Sequence, residues 1–171
     1  MRYFLWVVLV AALGYGALGL LTGGFSASVE DRIVVAAAPE RVWDVLTDFS
    51  GYPEWNPAMR FTKHDFAPGK EVSFVVLNDD GSDGMTISPT VLEFERPKSI
   101  VWRGSLWIPG LFDGTHSFAL REHPDGVTEL VQSEEFFGLL IPVTRKNVIR
   151  ETGERFRRMD EALKKQAERS S

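Results

Sequence analysis

The sequence predicts an α+β fold: one strand, two short helices, six further strands and one long carboxy-terminal helix, behind an apolar amino-terminal segment. Three observations lead there. The stretch Ala36–Pro57, AAAPERVWDVLTDFSGYPEWNP, joins a helix start, an amphipathic helix and a break that carries tryptophan. Between Met59 and Phe137 the chain runs in β-rich segments separated by turn residues. After Pro142 no proline occurs, and Ile149, Thr152, Phe156, Met159 and Leu163 recur at spacings of three and four, the stripe of a continuous helix.

The amino terminus comes first. Tyr3–Leu21 has no charged side chain, and after Arg2 none appears before Glu30. At 1.5 Å per residue this segment makes about 28 Å of helix, close to a hydrocarbon core of about 30 Å. A signal-peptide core is shorter and follows a stronger basic region than Arg2 alone. Small residues at Thr22–Gly24 and Ser26–Ser28 offer cleavage sites, but the latter would cut into the first strand. The reading is therefore an uncleaved single-pass anchor over 1–27 and a folded domain over 28–168, with secretion or periplasmic release after cleavage as the alternative. Arg2 and the terminal amine precede the span while Glu30, Asp31 and Arg32 follow it, which places the domain on the non-cytoplasmic side. The small-residue ridge Ala12, Gly16, Gly19, Gly23 would allow close helix pairing, although glycine is common in membrane helices in any case.

Val29–Val35 is β-branched and reads as the first strand. Pro39 suits the first helical position and Glu40 the positive end of the helix dipole. Val42, Val45, Leu46 and Phe49 then share one face, with Asp44 and Asp48 towards water. Gly51, Pro53 and Pro57 end that helix and leave one turn over Tyr52–Trp55. The six later strands are Met59–His64, Glu71–Leu77, Met85–Glu95, Ser99–Ile108, Thr115–Arg121 and Val127–Phe137, about seven strands in all. Asn78–Gly84, Arg96–Lys98 and the trio Pro124, Asp125, Gly126 supply the turns. The Ser-Ser end is expected to be disordered.

Composition narrows the function. A chain of 171 residues with about 140 beyond the apolar segment makes one domain with a real core. A net charge of −5 argues against nucleic acid as partner. From Arg145 to Arg169 there are nine Lys or Arg against five Asp or Glu, a solvated helix face or a surface for anionic lipid or a partner. The absence of cysteine rules out thiol chemistry and a lipoprotein anchor, and neither requires nor excludes an oxidising compartment.

The order of elements, together with APERVWDVLTDF at Ala38–Phe49, WNP at Trp55–Pro57, VWRG at Val101–Gly104, GTHSF at Gly114–Phe118 and QSEEFFG at Gln132–Gly138, resembles the SRPBCC or START-like superfamily. Within it the likeness is to the polyketide cyclase/dehydrase and lipid-transport family, over Ser28–Leu163. The resemblance implies a helix-grip fold, in which a curved antiparallel sheet wraps the carboxy-terminal helix. It also implies that the space between them holds a hydrophobic ligand.

Hairpin geometry selects the residues that would face that space. A three-residue loop with Gly126 left-handed pairs His123 with Val127, which sets His116 opposite Glu134, Phe118 opposite Gln132 and Leu120 opposite Leu130. The alternate set, Ser117, Ala119, Arg121, Glu129, Ser133 and Glu135, is more polar and faces outward. By the same alternation Ile100 and Trp102 face inward beside Leu92 and Phe94, and Phe74 beside Val72 and Val76. The candidate ligand-binding residues are Phe74, Phe94, Trp102, His116, Phe118, Gln132 and Glu134. Aromatic positions of this kind also serve as plain core, and His116 and Glu134 can simply satisfy each other. Two loops, Ile108–Gly114 and Gly138–Pro142, carry apolar residues beside glycine and proline, as a lid, a membrane-contacting rim or an edge of the core.

Three functions remain. The first is a membrane-anchored carrier or sensor of a hydrophobic small molecule or lipid. The second is a cyclase- or dehydratase-like enzyme with His116 and Glu134 as acid/base pair, the weak catalytic candidates. The third is a protein-interaction module resembling the superfamily's co-chaperone branch, with the long helix as docking surface. The sequence has no phosphate loop, nucleophile elbow or zinc spacing, and no cofactor is expected. Asp113, His116 and Glu134 are too sparse a set to be read as a metal site. His64 and His123 are expected to face solvent.

Overall fold

The computed structural model describes residues 2–169, apart from the side chain of Arg2. The expectations placed on the terminal amine, on the Arg2 charge and on Ser170–Ser171 lie outside the described residues. The elements are α1 (Arg2–Leu21), β1 (Ser26–Val35), α2 (Pro39–Thr47), α3 (Tyr52–Trp55), β2 (Met59–Lys63), β3 (Ser73–Leu77), β4 (Asp83–Ile87), β5 (Thr90–Glu95), β6 (Ser99–Ser105), β7 (Asp113–Glu122), β8 (Thr128–Phe137) and α4 (Ile141–Ala167). Every strand pair is antiparallel. The strands form a five-stranded sheet in the order β1-β8-β7-β6-β5 and a three-stranded sheet β2-β3-β4, curved against α4 in the helix-grip arrangement.

The described residues form eight strands where about seven were expected, because the expected run Met85–Glu95 is cut at Ser88–Pro89. Proline has no N–H to give a ladder, so the run cannot continue through it. The break hands the chain from one sheet to the other. The Pro89 carbonyl still accepts from Val72 N–H at 3.0 Å, and Val91 N–H donates to Lys70 at 2.8 Å, so the segment before β3 stitches the two sheets together. A second departure is a bulge between Val91 and Glu93. It buries Val91 completely and turns Leu92 outward, 50% exposed, which corrects the inward placement of Leu92. The sixth strand ends at Ser105 instead of Ile108, because Trp107 takes a positive φ of 64° that no strand accommodates.

The helices follow their sequence logic. Pro39 opens α2, Glu40 sits in its first turn, and Val42, Val45 and Leu46 are buried while Asp44 and Asp48 are exposed. Trp43 is buried as well, tilted against Phe94 at 5.2 Å. The Tyr52 hydroxyl donates to the Leu46 carbonyl at 2.7 Å and ties α3 to the end of α2. In α4, Phe156, Met159 and Leu163 are buried, but Ile149 is 37% exposed and leaves the stripe. Asp160 takes a buried position beside Met159.

Two apolar clusters result. The larger joins α2, α3 and the two sheets to Met159, Leu163 and Ala167 of α4. The smaller joins Ala27, Val29, Phe136, Ile141 and Phe156 at the opposite end of α4.

Candidate functional site

The hairpin of β7 and β8 has the expected register, with His116 opposite Glu134, Phe118 opposite Gln132 and Leu120 opposite Leu130. His123 N–H donates to Val127 at 2.9 Å, and Gly126 has φ 72°. The alternation then turns His116, Phe118, Leu120, Leu130 and Gln132 into the interior, all buried. Trp102 and Phe74 join them, and Phe94 is half-buried at the edge.

Aromatic rings occupy the space between sheet and helix. Trp102 has Phe61, Phe66, Phe74 and Phe118 within 6.3 Å between centroids. Phe66 belongs to the loop between β2 and β3, yet it stacks on Phe49 at 4.1 Å and reaches Phe94 at 5.5 Å. Strand alternation could not identify it. The signal available was only an aromatic residue between charged neighbours, His64-Asp65 and Lys70.

A polar belt separates the two apolar clusters. His116 stacks flat on Trp102 (4.6 Å, 3°) and meets Phe156 edge-on at 5.1 Å. Its Nε2 lies 3.2 Å from Gln132 Nε2, which as a donor leaves His116 Nε2 the acceptor and puts the ring proton on Nδ1. That nitrogen faces Glu134 Oε2 at 3.5 Å, an ion-pair distance and longer than a good hydrogen bond. Glu134 rests over Gly114, where a Cβ would fall 2.6 Å from Oε1. The belt continues across β1, where Asp31 pairs with Gln132 and Val29 with Glu134.

Sequence reasoning missed the far side of this belt. Asp160 is fully buried under α4, and neither of its carboxylate oxygens has a hydrogen-bond partner among the described residues. Gln132 Oε1 is equally without one, although Gln132 Nε2 also reaches Met159 Sδ at 3.8 Å. Burial, aided by the nearby Asp31 charge, pushes the Asp160 carboxyl up from the ordinary 3.8 to about 8. A helix residue one step from the apolar stripe gives only a weak sign of this in sequence.

The remaining candidates disperse. Asp113, three residues from His116 on an alternating strand, points to the opposite face, where its carboxylate accepts from Gly110 N–H at 3.0 and 3.1 Å. His64 and His123 are exposed. The two apolar loops are joined: Leu139 N–H donates to Gly110 at 3.1 Å and Leu140 N–H to Leu111 at 3.0 Å. They form one rim, in which Trp107, Ile108 and Leu139 are exposed. An open cleft of about 490 Å³ lies elsewhere, on the outer face of the sheet beside Arg103 and Arg145.

The sequence model of the family described as polyketide cyclase / dehydrase and lipid transport matches residues 26–169. No curated protein matches the chain. Among solved structures, a Chromobacterium violaceum protein superposes with TM-score 0.64 at 19% identity, over 84% of this chain and 98% of its own. The Zhui aromatase/cyclase of Streptomyces gives 0.64 at 18%, over 84% and 94%. The di-domain ARO/CYC StfQ of the steffimycin biosynthetic pathway gives 0.68 at 18%, over 84% of this chain and 52% of its own. At such identities the likeness is one of fold.

Proposed function

Since the chain belongs to the polyketide cyclase / dehydrase and lipid transport family, we propose that it is a membrane-anchored carrier or sensor that binds a hydrophobic small molecule or lipid between sheet and α4. Residues 1–27 hold it at the membrane and residues 28–168 bind the ligand. Phe74, Phe94, Trp102 and Phe118 contact the ligand body, and His116, Gln132 and Glu134 take its polar end. One observation carries the reading: Gln132 Oε1 is buried without a hydrogen-bond partner among the described residues, beside the aromatic interior. Such a group costs roughly 1–3 kcal/mol, and a ligand hydroxyl would relieve that cost. The rings fill the interior, so entry requires one of them to move, and Phe66 is the ring carried by a loop. Its own N–H donates to the His64 carbonyl at 3.0 Å, within the same loop.

A cyclase- or dehydratase-like activity is the second reading, favoured by the imidazole–carboxylate pair. Both ring nitrogens of His116 are already engaged, by Gln132 and by Glu134, and its face is covered by Trp102. This suits a group that orients better than one that exchanges protons with a substrate.

Mass spectrometry of compounds extracted from purified residues 26–171 tests the assignment. A stoichiometric hydrophobic compound is expected, with retention falling about tenfold in His116→Ala through the lost polar contact. An empty interior in the wild-type protein, with no apolar probe taken up, would remove both readings.

A further inference from the structure

We propose that the outer-face cleft is a second site, for the headgroup of a phosphoethanolamine-type phospholipid, with the phosphate between Arg103 and Arg145 and the ammonium on Glu135. This rests on the reading that α1 lies in a membrane. The cleft is built by the sheet. Register aligns Ser28 with Glu135, Glu135 with Thr115 and Thr115 with Arg103 in one cross-strand row, all on the face away from α4. Arg145, in the second turn of α4, closes the side, and Phe137 forms an apolar edge.

The guanidinium groups are available. Arg103 comes no nearer to a carboxylate than 3.8 Å from Asp113, whose oxygens accept from Gly110 N–H instead. Arg145 uses one nitrogen, Nη1, on the Gly23 carbonyl at 2.9 Å and on the Ser26 carbonyl, and among the described residues Nε and Nη2 have no acceptor. Two arginine forks beside serine and threonine hydroxyls suit a phosphodiester. Glu135 in the same row repels an anionic head that carries no amine, and pairs with one that does.

Position sets the source of that headgroup. Arg145 binds the link between α1 and β1, so the cleft opens just past the end of the apolar helix. The Tyr15 hydroxyl donates to the Leu139 carbonyl. Tyr15 lies six residues inside Leu21, about 9 Å along the helix at 1.5 Å per residue, so the joined rim reaches beside the span. Its exposed Trp107, Ile108, Leu139 and Val143 belong at such a boundary. The cleft therefore sits at headgroup level.

The test uses the full chain in nanodiscs of mixed phosphatidylethanolamine, phosphatidylglycerol and phosphatidylcholine, with retained lipid read by native mass spectrometry. The wild-type chain is expected to keep the ethanolamine lipid about tenfold over the other two. Arg103→Ala, an outward change that leaves the core intact, should abolish that preference, and Glu135→Gln should raise phosphatidylglycerol to equality. Equal retention of all three lipids, or an unchanged preference in Arg103→Ala, overturns the site. Soluble phosphoethanolamine that competes as well as the lipid overturns the lipid assignment. Carbonate extraction separates the two premises: a chain washed from membranes overturns the anchor and this site with it, whereas an anchored chain without lipid preference overturns this site alone.

Discussion

His116 is held from three sides, by Trp102 on its face, Phe156 at its edge and Gln132 on Nε2, and Glu134 completes the set at Nδ1. A ligand acceptor or hydroxyl can enter this arrangement only by replacing Glu134 or by using the free Gln132 Oε1. Glu134→Gln keeps the shape and removes the charge, so it should strengthen binding of an anionic-acceptor ligand and weaken that of a hydroxylated one, each by a fewfold at most, while Gln132→Leu should cost about tenfold for any polar-headed ligand. Titration of an apolar fluorescent probe against each variant checks the order. Asp160 carries a pH dependence. Its carboxyl is raised to about 8 in the folded chain against an ordinary 3.8. Below about pH 4 both states are protonated. Between these values the unfolded chain loses the proton and the folded chain keeps it, so stability falls as pH rises from about 4 to about 8. Asp160→Asn should therefore be more stable than wild type at pH 8, by several kcal/mol, and nearly equal to it at pH 4. Urea melts at the two pH values decide it, and an equal gap at both would contradict the burial argument. The inward trio His116, Gln132 and Glu134 was legible in sequence because a tight turn fixed the hairpin register. Asp31 and Asp160 were not, since their meeting depends on how α4 lies across β1, which no local pattern records.

At the scale of elements, local chemistry explains both what was foreseen and what was not. Pro39, the α2 face and the Tyr52–Trp55 turn follow from periodicity and caps, whereas the fate of Met85–Glu95 turned on a single proline read as part of a strand. The bulge at Val91–Glu93 inverted Leu92 for the same kind of reason: one extra residue puts Val91 inside and Leu92 outside, while Phe94 beyond it keeps its inward side. Two loops offer tests. Phe66 fills space within the aromatic cluster from the loop between β2 and β3, so Phe66→Ala should cost roughly 1–3 kcal/mol of stability while speeding the uptake of an apolar probe. Stopped-flow mixing would show it, and slower uptake would mean that the ring is part of the binding wall rather than its gate. Gly138 has φ 142° and a Cβ there would fall 2.4 Å from the Leu111 carbonyl oxygen. Backbone cannot yield as a side chain can, so Gly138→Ala should separate the joined rim loops and destabilise the chain by about 2 kcal/mol or more. Hydrogen exchange at Leu139 and Leu140 N–H, which bond across to Gly110 and Leu111, should rise in that variant ahead of exchange in β7.

For the whole molecule the decisive relation is between α1 and the rim. Tyr3–Leu21 is long and apolar enough to cross a membrane, a property shared by anchors and signal sequences, and sequence alone could not show what the segment touches. In the folded chain it is tied to the domain by Tyr15 to Leu139, by Arg145 to Gly23, and by the Phe25 carbonyl, which accepts from Gly138 N–H at 2.9 Å. These ties set the rim beside the apolar helix, so on the anchored reading proposed above its exposed Trp107, Ile108, Leu139 and Val143 need not meet water. Removal of residues 1–25 takes away the apolar helix and its contacts with the rim. The domain itself should survive, because neither apolar cluster draws on α1. The uncovered rim should then make residues 26–171 self-associate with rising concentration, or bind vesicles reversibly, and replacement of Trp107 and Ile108 by serine should restore a monomer. Sedimentation velocity across a concentration series, with and without vesicles, reads this directly. A truncated chain that stays monomeric and ignores vesicles would mean that the rim closes on itself, and that the domain hangs from its anchor instead of resting on the bilayer.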